Sequence, residues 1–135
     1  MLKYRSAWLV GGLLLVGLVV YLSLTPHPPE PLSFSQSDKL EHCFAYASLS
    51  LWFCQLFLQD RQRITVIVAL VTLGVVIEIL QGLSGYRYFE YADMLANSVG
   101  VLLGFLLART GLGRIFILIE NSWRFEQKLK SDGDV

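Results

Sequence analysis

The stretch VIEILQGLSGYRYFEYADMLANSVG, residues 76–100, decides how this chain folds. It begins inside one apolar run and ends inside another, with polar side chains at the junction. Residues three or four apart share one face of a helix, so Glu78 lies on the same face as Gln81, and Asp93 lies on the same face as Asn97. Two helices joined by a short polar turn would therefore direct both polar pairs into one space.

The composition is that of a membrane protein. Hydrophobic residues make up 54% of the 135 positions, charged residues 16%, and the mean hydropathy is +0.53. Soluble domains carry about 25% charged residues. The length suits a single domain, residues 1–135. A net charge of zero provides no broad basic surface for nucleic acid, so no nucleic-acid partner is expected.

Four apolar segments approach the length of about 20 residues that a helix needs to cross a bilayer. We predict spans at about 7–24, 38–58, 64–81 and 94–108, linked by a proline-rich connection (25–37), a charged turn (59–63) and a polar turn (82–93). Residues 114–130 have too short an apolar run to span and predict an interfacial helix, with Ile115, Phe116, Ile119 and Trp123 in lipid. The predicted fold is an all-α integral membrane bundle of four transmembrane helices plus a C-terminal interfacial amphipathic helix.

Lysines and arginines predict the orientation of this bundle. One side of the four-span arrangement holds Lys3, Arg5, Arg61, Arg63, Arg109, Arg114, Arg124, Lys128 and Lys130, and the other holds only Lys39 and Arg87. Basic residues favour the cytoplasmic side. We therefore expect a multi-pass protein of the inner (plasma) membrane, with both termini in the cytoplasm and the polar junction facing outward.

Polar residues from three predicted spans meet on that outer side. Because ionisable groups in membrane segments are costly, such a concentration indicates a functional site. The candidates for acid/base catalysis are His42, Glu78 and Asp93. The candidates for binding are Asp38, Lys39, Gln81, Arg87 and Asn97. One histidine with carboxylates is a thin donor set for a metal, and no metal or cofactor is expected.

The same residues resemble a known family. The chain carries DKLEH at 38–42, EILQ at 78–81, Arg87, and DMLANSVG at 93–100. This order is similar to the pattern of the VanZ-like membrane proteins, D-K-x-x-H, E-x-x-Q followed by R, and D-x-x-x-N-x-x-G. The resemblance covers about residues 35–108. It implies a possible link to glycopeptide (teicoplanin) resistance, which is associated with the family's namesake.

Three functions remain open from the sequence. The site would bind or modify a lipid headgroup or a cell-envelope precursor, with Lys39 and Arg87 contacting an anionic group. Alternatively, the protein would be a membrane-embedded acid/base enzyme acting on a lipid-linked substrate. In the third case it would be a small transporter or an assembly partner whose polar residues only pack helices. The small-residue stripe Ala96, Gly100, Gly104 and Ala108 would then form a seam inside the chain or between copies.

The orientation makes a direct prediction. Cysteines placed within residues 26–36 or at Ser84 should react with a membrane-impermeant reagent in intact cells, whereas cysteines at Gln62 and Ser131 should not. Labelling of the Gln62 position from outside would contradict the orientation and the shared outer site.

Overall fold

Five α-helices and one short 3₁₀ turn form the chain over the residues that the computed structural model describes, 2–26, 37–85 and 89–133. The helices are α1 (Arg5–Leu24), α2 (Ser37–Leu56), α3 (Asp60–Leu83), α4 (Tyr91–Ala108) and α5 (Ile115–Gly133), with the 3₁₀ turn at Gly111–Arg114. The all-α prediction is confirmed for these residues. The predicted proline-rich connection lies largely outside them, and Arg87 lies wholly outside them.

The predicted charged turn at 59–63 is wrong in its extent, because α3 already begins at Asp60. An acidic residue in the first turn suits the positive end of the helix dipole. Arg63 is likewise helical, and its Nε donates to the carbonyls of Cys54 and Phe57, at 3.2 and 3.0 Å. The charged residues therefore start one helix and satisfy the end of the previous one, which leaves a link of only 57–59.

Three helices, α1, α3 and α4, have both the length and the hydropathy of membrane spans. The fourth predicted span, α2, is a 20-residue helix of lower hydropathy. It packs against α1, α3 and α4, and most extensively against α4. Because neighbouring helices cover much of its surface, α2 tolerates polar residues that lipid would penalise. Its crossing of the membrane remains a prediction.

Helices α2 and α4 meet backbone to backbone along the predicted small-residue stripe. A Cβ atom added at Gly100 would collide with the Cys43 carbonyl, and one at Gly104 would lie 2.7 Å from the Cβ of Ser50. The Ser50 hydroxyl donates to the Val101 carbonyl at 2.8 Å. The prediction of a close helix contact is confirmed, and the contact lies within the chain. Association with a second copy stays a prediction, and at these two glycines it would compete with α2.

Replacing a glycine by alanine should affect stability differently at Gly100, which contacts α2, and at Gly17, where a Cβ meets nothing within 4 Å. We expect Gly100→Ala to lower the melting temperature in detergent, because overpacking a close contact costs about 1–3 kcal/mol. Gly17→Ala is the matched control, since a Cβ there meets nothing within 4 Å and alanine favours helix. A neutral Gly100→Ala would contradict the close contact.

The aromatic face of α5 packs on the bundle where lipid contact was expected. Phe116 is 4% exposed and stacks on Trp8 with ring centroids 4.0 Å apart. Its ring also meets Trp52 edge-on at 4.7 Å. The prediction that Phe116 lies in lipid is therefore wrong, because the first turns of α1 and the end of α2 provide an aromatic surface that fits it. Trp123, with about half its surface exposed, stacks over Trp8 at 6.1 Å.

A carboxylate on α5 caps the first helix. Glu120 is buried, and its two oxygens accept from the backbone N–H groups of Lys3 (2.6 Å) and Tyr4 (3.0 Å) and from the Trp8 indole (2.9 Å). The first N–H groups of a helix lack partners within it, and a negative charge there is stabilising. Burial by itself raises the pKa of Glu120, but these three hydrogen bonds outweigh it and hold the pKa below its ordinary value of 4.5.

This capping contact should make stability depend on acid pH. A carboxylate whose pKa is lowered by folding stabilises the protein above its unfolded-state pKa and loses that contribution as the pH falls through the folded-state value. We therefore expect Glu120→Gln to lower the melting temperature at pH 7 and to approach the wild type below about pH 4. Glu126→Gln, at an exposed position of the same helix, is the control and should match the wild type at both pH values. A constant difference between Glu120→Gln and wild type would contradict the role of the charge.

Candidate functional site

The site lies at the end of the bundle where α2 and α4 begin, and it starts with one ammonium group among three carboxylates. Lys39 Nζ lies 3.0 Å from Asp38 Oδ2, 2.9 Å from Glu90 Oε2 and 3.4 Å from Asp93 Oδ1. Asp38 belongs to the first turn of α2 and Asp93 to that of α4, where negative charge is favoured. Lys39 is thus the cation that holds the starts of two helices together.

One layer further in, a histidine faces a buried carboxylate. His42 Nε2 lies 3.9 Å from Asp93 Oδ2, close enough for an ion pair when the imidazole is protonated and longer than a hydrogen bond. From α3, Glu78 Oε1 accepts from the backbone N–H of Glu90 at 2.8 Å. Glu78 is fully buried. Its carboxylate therefore fixes the residue that precedes α4, and with it the position of Asp93.

A third layer lies one helical turn deeper, at Tyr46, Asn97 and Gly74. Tyr46 and Asn97 are each 1% exposed. Among the described residues, neither the Tyr46 hydroxyl nor either polar atom of the Asn97 amide has a hydrogen-bond partner. A Cβ at Gly74 would lie 3.2 Å from Asn97 Nδ2 and 3.4 Å from Tyr46 Cε1, so three helices converge here. Buried polar groups normally have partners, which makes this layer unusual.

The sequence of the chain matches a known family over this whole region. The sequence profile of the VanZ/LLP1 family covers residues 31–117, which include every candidate site residue. This chain belongs to the VanZ/LLP1 family. It is also 33% identical, over 98 residues, to an uncharacterized protein of Schizosaccharomyces pombe; the match covers 70% of this chain and 58% of that protein. The chain therefore spans less than two thirds of that relative's length. No solved structure matches it.

Most of the predicted site residues of this VanZ/LLP1 protein come together. Their side chains occupy the three layers at one end of the bundle, from α2, α3 and α4: Asp38, Lys39, His42, Glu78, Asp93 and Asn97. Gln81 has a different task, since its Nε2 donates to the Ser23 carbonyl at 2.8 Å and ties α3 to the last turn of α1. We call the six residues, together with Glu90 and Tyr46, the polar cluster.

Two members of the polar cluster were not among the predicted site residues. Glu90 lies in the turn before α4, where no periodicity predicts a direction, and it enters the cluster through its contacts with Lys39 and Glu78. Tyr46 had a usable signal, because Asp38, His42, Tyr46 and Ser50 recur every four residues along one face of α2. The residues that separate the members of this stripe in the sequence are mostly apolar, which makes the stripe hard to recognise.

The polar cluster is acidic over its described residues. It holds the carboxylates of Asp38, Glu78, Glu90 and Asp93 against the single ammonium of Lys39. Ligand oxygens of Asp38, Glu90 and Asp93 lie within 4.8 Å of one another, a spacing that also suits a cation. The Lys39 ammonium contacts all three. Lysine therefore supplies the positive charge that this group of carboxylates requires, and the group by itself does not indicate a metal site.

Proposed function

We propose that this VanZ/LLP1 protein binds the polar headgroup of a membrane lipid, or of a lipid-linked envelope precursor, in the polar cluster. The observation that carries the proposal is the third layer, where Asn97 and Tyr46 are 1% exposed and their polar atoms have no partner among the described residues. A buried unsatisfied polar group costs about 1–3 kcal/mol. A hydroxyl or amide group of a ligand would remove that cost.

The chemistry of the upper layers favours a ligand rich in hydrogen-bond donors. Carboxylates only accept hydrogen bonds. Asp93, 5% exposed, therefore suits hydroxyl or ammonium groups of a headgroup. The expected role of Lys39 in holding an anion is less favoured, because its ammonium is already shared among three carboxylates. Contact between an anionic group and Arg87 remains part of the proposal because the guanidinium of arginine suits phosphate.

The location of the polar cluster supports a ligand delivered by the membrane. It lies where α3 ends and α4 begins, two helices with the length and hydropathy of spans. The positive-inside rule orients this end away from the cytoplasm. A lipid-linked precursor exposed on the outer surface would reach it there. Any contribution to teicoplanin resistance would follow from holding or altering such a precursor.

The His42 and Asp93 pair favours a second candidate function, acid/base catalysis on the bound headgroup. An imidazole next to a buried carboxylate is a common arrangement for a proton-transferring group. The 3.9 Å separation would shorten on substrate binding. If the protein is an enzyme, His42→Gln should retain the lipid and prevent its conversion, as followed by the mass of the retained species.

Glu78→Gln should stay folded, because the amide oxygen still accepts from the backbone N–H of Glu90.

The binding proposal is tested best at the third layer. Asn97→Leu replaces the amide with an apolar side chain of similar size, and Tyr46→Phe removes only the hydroxyl. We expect both variants to be as stable as the wild type or more stable, since each removes an unsatisfied polar group. We expect retained lipid, measured by native mass spectrometry of protein extracted with its membrane, to fall about 2- to 10-fold for each hydrogen bond lost.

Ser98→Ala is the matched control for these variants. Ser98 neighbours Asn97 on α4, but its hydroxyl donates to the Met94 carbonyl of its own helix. It should retain lipid as the wild type does. Unchanged lipid retention in Asn97→Leu and Tyr46→Phe would reject the binding function. A loss of stability in both would instead assign the two polar groups a structural role.

A further inference from the structure

A cleft of about 610 Å³ opens at the opposite end of the bundle, between the end of α4 and the start of α5. Ligand clefts in proteins have volumes of about 300–1,000 Å³. Its walls come from the α2–α3 link, the start of α3, the α4–α5 connection and the first turn of α5: Leu58, Arg63, Ala108, Arg109, Thr110, Gly111, Gly113, Arg114 and Ile117. No residue of the polar cluster lines this cleft.

Three arginines and no acidic residue line the cleft. Arg63 is held in place because its Nε donates to the carbonyls at the end of α2, which leaves the two terminal nitrogens of its guanidinium for other partners. The Arg109 guanidinium lies over the Phe105 ring, 4.5 Å from its centroid. Within the described part of the chain, Arg109 forms an ion pair with Asp60 at 3.4 Å, and both side chains are exposed. Arg114 is exposed and has no ion pair among the described residues.

Apolar side chains also line the cleft, at the end of a helix that could span a membrane. Leu58, Ala108 and Ile117 contribute them, beside Thr110, Gly111 and Gly113. Ala108 is the last residue of α4, a helix with the properties of a span. Exposed apolar side chains flank the arginines at Leu58, Leu112 and Leu118. Positive charge beside exposed apolar surface at the end of a span suits a molecule with an anionic head and a hydrocarbon tail.

We propose that this cleft binds the phosphate group of an anionic membrane lipid in the leaflet at this end of the bundle. Arginine guanidinium groups donate paired hydrogen bonds to phosphate oxygens. Arg63 provides a fixed donor from the bundle, whereas Arg109 and Arg114 approach from either side of the connection between α4 and α5. A bound phosphodiester, with its single negative charge, would offset part of the positive charge of the cleft and hold the start of α5 on the bundle.

The two sites are separate in both place and charge. Asp93 and Ala108 are fifteen residues apart on one helix, which corresponds to about 22 Å of rise. The polar cluster is acidic, whereas this cleft is basic. Binding at the cleft therefore does not depend on the function proposed for the polar cluster, and Asn97→Leu should leave it unchanged.

The test measures binding of phosphatidylglycerol to the purified full chain in nanodiscs of otherwise zwitterionic lipid. A basic residue near a membrane surface contributes about 1 kcal/mol of attraction to anionic lipid, which corresponds to about fivefold in affinity. We expect the double variant Arg109→Gln/Arg114→Gln to bind phosphatidylglycerol about 25-fold more weakly. Both side chains are exposed, so the melting temperature without anionic lipid should fall only slightly, through the loss of the surface contacts of Arg109 with Phe105 and Asp60.

The matched control is Arg61→Gln/Arg124→Gln, which removes two exposed arginines from the same end of the bundle but outside the cleft. It should keep the wild-type affinity. An equal loss in both double variants would assign the attraction to overall charge and overturn the site. Binding of inorganic phosphate in detergent as tightly as of phosphatidylglycerol would identify a soluble anion as the ligand and overturn the lipid assignment.

Discussion

The close contact between α2 and α4 is the constraint on which the rest of the structure depends. The Gly100 and Gly104 positions bring α4 against the backbone of α2 at Cys43 and Ala47. In a membrane, helices associate through such packing because lipid offers no hydrophobic drive. The same contact sets the register that places Lys39 beside Asp93 and Tyr46 near Asn97. The polar cluster therefore follows from the spacing of two glycines as much as from the polar residues themselves.

Several charged groups of the bundle are stabilised by ion pairs and by hydrogen bonds from backbone N–H groups. Lys39 contacts three carboxylates, Glu78 accepts from a backbone N–H group, and Glu120 accepts from two backbone N–H groups and an indole. In each case a helix start provides part of the positive potential. The third layer differs, since Asn97 and Tyr46 lack such partners among the described residues. The proposal that a lipid headgroup binds in the polar cluster rests on these unsatisfied groups, which lie where three helices converge.

The two ends of the bundle present opposite chemistry. One end gathers carboxylates from α2, α4 and the turn before α4, and the other gathers three arginines around a cleft beside α5. The Glu120 cap and the Phe116 stack hold α5 on the second end. In this arrangement the first half of α5 packs on the bundle through Phe116 and Glu120 and forms one wall of the basic cleft, whereas Leu118, Phe125 and Leu129 stay exposed.

The sequence by itself determined the helical class, the end at which the polar residues collect, and the glycine stripe, because helix periodicity and hydropathy depend only on residue order. Only the tertiary structure decided which groups meet. Glu90 lies in a turn, which has no periodic face, so the sequence could not predict its position. That position depends on the hydrogen bond to Glu78. An apolar helix face has the same sequence pattern whether it meets lipid or protein, so only the structure shows that Phe116 packs on Trp8. Lys39 contacts carboxylates of α2, of the turn before α4 and of α4, and the packing of these helices decides that the three meet at one ammonium.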